Sequence, residues 1–116
     1  MKVEIPQEYL VHIELALIDK IDKLRFDIAV LLNIANDHIE WHKNKKNYIK
    51  AKLRIFKNQN QKCYSIICVD DPSCESIAKS FKKKFKSKLI KICTHKVLED
   101  GISLIKVKNR VKIINN

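Results

Sequence analysis

Leu10, Ile13, Leu17, Ile21, Leu24, Ile28, Leu31 and Ala35 recur at spacings of three and four, the period of an apolar stripe along one face of an α-helix. Pro6 suits the first turn of such a helix, where its missing N–H costs nothing, and Glu8 places negative charge near the positive end of the dipole. A helix running unbroken from Pro6 to about His42 would span roughly 55 Å at ~1.5 Å per residue. That exceeds the width of a compact domain built from 116 residues. Either the helix breaks near residues 22–27 into a helical hairpin, or it stays long and buries its stripe against a second subunit. No Gly or Pro marks a break, which favours one long or gently bent helix and a homodimer formed through it.

Downstream the period changes from 3.6 to 2. Ile49, Ala51, Leu53 and Ile55 alternate with Lys50, Lys52 and Arg54, the pattern of a half-buried strand. Asn58, Gln59, Asn60 and Gln61 supply a polar turn, and residues 62–69 read as the returning strand of a hairpin. Asp70-Asp71-Pro72-Ser73 then joins an N-cap candidate to a proline at the first helical position, with Glu75 in the first turn. The helix that begins there has Cys74, Ile77, Ala78, Phe81 and Phe85 on its apolar face and Lys79, Lys82, Lys83 and Lys86 opposite. Residues 89–97 and 102–114 complete the pattern as strands around an Asp100-Gly101 turn. The expected architecture is α+β: a long N-terminal helix or helical hairpin followed by a β-β-α-β-β antiparallel sheet unit. Residues 1–116 make one domain, with an acidic helical segment over 1–43 and a basic α+β segment over 44–116.

Apolar residues make up 46% of the chain and charged ones 32%, which predicts a folded protein. The longest uninterrupted apolar run, Ile28 to Leu32, is far too short to cross a bilayer. No signal-peptide core follows Met1. The four cysteines, Cys63, Cys68, Cys74 and Cys93, fall in strand or helix cores, where a reduced thiol behaves as a small hydrophobe. These features point to an intracellular location, cytoplasmic or with the nucleoid or nucleus, and to no membrane partner.

The net charge of +11 is unevenly placed. Residues 1–42 hold four Lys/Arg against eight Asp/Glu, and residues 43–116 hold twenty against five. Such asymmetry suggests that one part of the chain meets a polyanion. On a strand, Lys50, Lys52 and Arg54 share a face, flanked by Tyr48 and Phe56; cations neutralise phosphates and rings stack on unpaired bases. Lys43, Lys45 and Lys46 precede that strand, and Lys82, Lys83, Lys84, Lys86 and Lys88 crowd the end of the later helix, more cations than a helix dipole needs. An ordinary solvated lysine face is the plain alternative, and twenty-one lysines against three arginines also fit an AT-rich codon bias. The expectation is a non-enzymatic nucleic-acid-binding protein, for DNA or RNA. The alternative is a protein-interaction or inhibitor module, of viral or mobile-element type, whose basic surface meets an acidic protein.

Chemistry leaves weaker traces. His38 and His42 sit four apart near Asp37 and Glu40, but no Glu follows the first His as in a zinc-protease helix, and no C-x-x-C pair occurs. No metal and no cofactor is expected. Asp19, Asp22, Asp70 and Asp71 are the candidate acids, and Cys93 and His95, two apart on a strand, the candidate nucleophile and base. A small nuclease built on Asp19 or Asp71 is the least supported reading.

Overall fold

The computed structural model describes residues 24–34 and 45–116. Within them the chain forms strand β1 (Ile28–Leu31), helix α1 (Lys45–Lys52) running into a 3-10 turn (Leu53–Phe56), strand β2 (Tyr64–Cys68), helix α2 (Pro72–Lys84), and strands β3 (Lys88–Cys93), β4 (Ile102–Val107) and β5 (Arg110–Asn115). All five strands form one sheet in the order β1-β2-β3-β4-β5. The first four are parallel, with Ala29 beside Ser65, Ser65 beside Leu89, and Cys93 beside Ser103. Only β5 is antiparallel, pairing with β4 around Lys108-Asn109, where Lys108 takes φ 55°.

This corrects three sequence expectations. The long helix fails where it can be checked: residues 24–34 hold no helix and Ile28–Leu31 is a strand, while the parts of the expected helix before residue 24 and after residue 34 lie outside the described residues. Its alternating burial, with Ala29 and Leu31 buried and Ile28 and Val30 exposed, also satisfies a three-four spacing over so short a run. Periodicity alone does not separate the two states there. With the stripe broken at β1, the homodimer built on a continuous helix loses its basis.

The basic strand is likewise a helix and a 3-10 turn. Lys, Ala, Leu and Arg are all good helix formers, and the residues that reach the core are Tyr48, Ala51 and Phe56 rather than one side of an alternation. The antiparallel unit is also replaced. β2 and β3 are joined by α2 as a parallel crossover, and the expected Asp100-Gly101 hairpin turn instead leads into β4, parallel to β3.

Helix α2 forms as its signals indicate. Asp71 is the N-cap and accepts from the Cys74 amide at 2.7 Å, Pro72 opens the helix, and Cys74, Ile77, Ala78 and Phe81 are buried. Phe81 meets the Phe56 ring edge-on at 5.3 Å, and Phe85 lies 5.6 Å from Phe56, so α1, the 3-10 turn and α2 share one core with Ala29, Leu31 and Ile67 beneath them. Gly101 is required at its position: φ is +141°, and a Cβ there would stand 2.5 Å from the Lys91 carbonyl oxygen.

A buried polar network ties the strands together at their amino ends. Gln59 donates to the Phe26 and Tyr64 carbonyls at 2.9 and 3.0 Å, accepts from the Ser65 hydroxyl, and Ser65 meets Ser87 at 2.8 Å. Those groups sit at or just before the starts of β1, β2 and β3, so Gln59 joins the first two strands and Ser65 carries the network on to the third. Every polar atom of the Gln59 amide that the network uses is paired, which is the condition under which burying it is tolerated. Gln59→Leu removes the side-chain donor from two buried carbonyls and one of the Ser65 hydroxyl's two partners, and is expected to lower stability by about 2–4 kcal/mol. Urea unfolding followed by circular dichroism measures this, and an unchanged midpoint would show that the network is not holding the register.

Candidate functional site

In an open parallel sheet, ligands bind beyond the carboxyl ends of the strands, where the connecting loops converge. Here that rim is built from three chain segments. β1 exits through Leu32, Asn33 and Ile34; β2 exits through Val69, Asp70 and Asp71 into α2; β3 exits through Thr94, His95 and Lys96. Asp70 reaches across to β3, accepting from the Thr94 amide at 2.8 Å and from the Thr94 hydroxyl. Asp71 reaches the other way, accepting from the Ile34 amide at 3.2 Å while it caps α2 through Cys74. Two adjacent carboxylates therefore fix all three exits. The imidazole of His95 stands with Nε2 3.9 Å from Asp70 and its side chain 73% exposed, facing solvent at the same rim. Glu75, one turn into α2, lies 3.9 Å from Lys79 and 4.0 Å from Lys96; these exposed pairs add little to stability.

The electrostatics of the rim follow from those contacts. Partial burial works against a charge on Asp70, but hydrogen bonds from the Thr94 hydroxyl and amide, and from the Cys93 and Cys68 thiols, outweigh it and hold the carboxyl well below its usual range. Burial pushes the Cys74 thiol up to about 12, helped by its hydrogen bond to Asp71 and by the Asp71 charge. Burial also raises Cys68. All four cysteines are free and buried, and the nucleophile-and-base pair expected of Cys93 and His95 does not form. Cys93 is buried facing the helical layer, and its thiol supports Asp70, whereas His95 is exposed.

The expected cationic surface is only partly assembled. Lys46, Lys50, Arg54 and Lys84, with Lys57, line a groove of about 640 Å³ between α1 and α2, floored by Ile49, Leu53 and Phe85. Tyr48 and Phe56 are 1% and 0% exposed, so neither ring is presented to a base; the Lys52 ammonium lies 5.5 Å from the Tyr48 ring instead. Lys82, Lys83 and Lys86 are exposed around the end of α2. Lys88 stands over the Tyr64 ring at 5.3 Å on the opposite face of the sheet. Lys43, His38, His42, Asp19 and Asp22 lie outside the described residues, as does the side chain of Lys45. The sequence pointed to Asp70, Asp71 and His95, yet it missed Thr94 and the Ile34 amide. An apolar strand followed by Asp-Asp-Pro and a helix was the signal for a parallel βα junction, and it was masked by taking residues 62–69 as half of a hairpin.

Residues 11–114 match the Mur ligase middle domain. The chain belongs to that family. Among curated proteins it is 36% identical over 97 residues to the UDP-N-acetylmuramoylalanine--D-glutamate ligase of Rickettsia bellii, covering 84% of this chain and 22% of that protein. It is 37% identical over 86 residues to the enzyme of the same name from Citrifermentans bemidjiense, covering 74% of this chain and 18% of that protein. The chain thus spans about a fifth of the length of the curated relatives it matches. This Mur ligase kinship overturns the nucleic-acid-binding expectation, the nucleic-acid partner and the interaction-module alternative. It also overturns the non-enzymatic expectation, since the relatives are ligases. An intracellular location is in keeping with the family; association with nucleoid or nucleus finds no support. No helix among the described residues is long and apolar enough to cross a membrane.

Two measurements probe the rim. Because the Asp70 carboxyl is held below its unfolded value, its contribution to stability is present above the ordinary carboxylate range and is lost as pH falls through and below about 4. Urea midpoints from about pH 7 down to about pH 2 should therefore fall steeply for the native chain. They should fall less steeply, from a lower starting point, for Asp70→Asn. In addition, the buried thiols should resist a disulfide reagent at about pH 8 until the chain unfolds; rapid labelling of Cys74 in the folded state contradicts the burial described.

Proposed function

We propose that the chain supplies the sheet and carboxyl rim of the middle domain of a cytoplasmic ligase that joins D-glutamate to UDP-N-acetylmuramoylalanine, with residues 1–116 belonging to one domain. The observation that carries this is the extent of the family match: from residue 11 to 114 it takes in β1 to β4 whole and all but the last residue of β5. The relatives' activity, that of a UDP-N-acetylmuramoylalanine--D-glutamate ligase, supplies the substrates. The rim geometry fits a ligand-facing edge. Asp70 and Asp71 each take donors from separate parts of their own fold, so they act as positioning residues. The exposed His95 stands beside them at the rim, with Lys96 and Glu75 also open to solvent.

A chimera tests this. The 97-residue stretch of the Rickettsia bellii ligase that aligns with this chain is replaced by the corresponding part of this chain, and incorporation of labelled D-glutamate is followed. The chimera should retain activity within about ten-fold, and Asp71→Asn in it should lower kcat about ten-fold or more through loss of a charge-assisted hydrogen bond at the rim. A folded chimera that incorporates no D-glutamate would defeat the proposal.

A further inference from the structure

Lys46, Lys50, Arg54 and Lys57 recur at spacings of four, four and three, so α1 and the 3-10 turn that continues it bring them onto one side. Ile49 and Leu53, each one position earlier, form the neighbouring stripe and pack against the core without being wholly covered. Across from them α2 presents Ser73, Ser76, Ser80 and Lys84, again three and four apart. Serine side chains are short, and the space between the two helices stays open.

Two hollows result, and they run into one another. The first, of about 640 Å³, gathers those four cations and Lys84 over a floor of Ile49, Leu53 and Phe85. The second, of about 470 Å³, shares Ile49, Leu53 and Lys84 and continues past Ile77 and Ser80 to Ser73 and Pro72. There the Ser80 hydroxyl turns back to the Ser76 and Ile77 carbonyls at 3.4 Å, so it is engaged with its own helix. The groove therefore changes character along its length, from strongly cationic at one end to apolar and weakly polar at the other.

Hollows of this size take small organic ligands, and ammonium groups that converge on one space are relieved by an anion placed among them. Arg54 adds a planar fork that matches the oxygens of a phosphate or carboxylate. A wholly ionic ligand gains nothing from Ile49, Leu53 and Ile77, and a wholly apolar one gains nothing from the cations. Ser73 and Lys84 stand eleven residues apart on α2, about 16 Å at ~1.5 Å per residue. A straight chain of about twelve carbons covers a similar distance at the ~1.2 Å per bond of an extended chain.

We infer that the groove between α1 and α2 binds an anionic amphiphile, a phosphate monoester or carboxylate carried on a straight hydrocarbon chain. Its head lies among the cations of the first hollow, and its chain runs along Ile49, Leu53 and Ile77. Asp70, Asp71, Thr94 and His95 line neither hollow, so the site is separate from the carboxyl rim and does not rest on the ligase reading.

The test titrates dodecyl phosphate, below its micelle concentration, into the full 116-residue chain by isothermal titration calorimetry. One molecule should bind per chain, about ten-fold or more tighter than octyl phosphate and about a hundred-fold or more tighter than inorganic phosphate, with affinity falling as salt rises. Lys50→Glu and Lys84→Glu, at exposed positions, should each weaken binding about five-fold or more. Lys50→Gln and Lys84→Gln serve in their place if the reversals disturb the circular dichroism spectrum. Lys112→Glu, on β5, makes the same change of charge and should leave affinity unchanged. Vesicles of phosphatidic acid in phosphatidylcholine distinguish the source: co-sedimentation lost on Lys50→Glu marks a lipid headgroup, and binding of the monomer alone marks a free amphiphile. The inference is overturned by the absence of saturable dodecyl phosphate binding, by inorganic phosphate binding as tightly, by cooperative uptake of many molecules as a detergent shows, or by Lys112→Glu weakening binding as the groove variants do. None of these readouts uses D-glutamate incorporation, so the groove and the ligase reading fail independently.

Discussion

Asp70 and Asp71 sit on one short loop, yet between them they take up donors from three separate parts of the chain: the Ile34 amide beyond β1, the Cys74 amide at the start of α2, and the Thr94 amide and hydroxyl beyond β3. Hydrogen bonds to ionised acceptors are worth about twice neutral ones, so this pair is the strongest polar constraint described at the carboxyl rim. It sets where the exits of β1 and β3 lie relative to the helix N-terminus, and therefore what any ligand at the rim would meet. The same hydrogen bonds that keep Asp70 charged also spend its acceptor capacity. The loop thus builds the rim with Asp70 committed to the fold, and the exposed imidazole beside it faces outward.

Gln59 does the corresponding work at the other end. It is 4% exposed and binds main-chain carbonyls on β1's approach and on β2. Between the two polar clusters the core is apolar and well interlocked, with Phe56, Phe81 and Phe85 in mutual edge or tilted contact over the sheet. The helical layer and its groove of lysines belong to one side of the sheet, and the exposed Ile28, Val30 and Tyr64 to the other. The lysine excess that dominates the sequence is consequently spread over surfaces of different character: among the described residues one set lines the groove between α1 and α2, and another surrounds the end of α2.

The sequence reading failed where two states share a pattern over few residues. Ile28 to Leu31 satisfy a helical stripe and a half-buried strand equally well, and residues 49–55 alternate as a strand would while being made of helix formers. In both places the decision came from what lay opposite. β1 finds a partner in β2 through Asp27 and Tyr64, whose main chains bond at 2.8 Å, and α1 buries Tyr48 in the shared core. Thr94 could not be identified in advance, because its role exists only once β2 and β3 are known to be parallel neighbours. The functional expectation inherited the same error: a basic strand flanked by rings is a nucleic-acid surface only if it is a strand, and as a helix it turns Tyr48 and Phe56 inward.

What the amino-acid order determined unaided was local. The Asp71-Pro72 cap, the apolar face of α2 and the burial of the cysteines all rest on interactions within a few residues or on side-chain polarity alone. Strand direction, the order of the sheet, the fate of residues 28–31 and 48–56, and the assembly of Asp70, Asp71, Thr94 and His95 into one rim were decided by the tertiary structure. Pairing a strand is a choice among distant partners, and its energy resides in main-chain bonds and packing that no single segment contains.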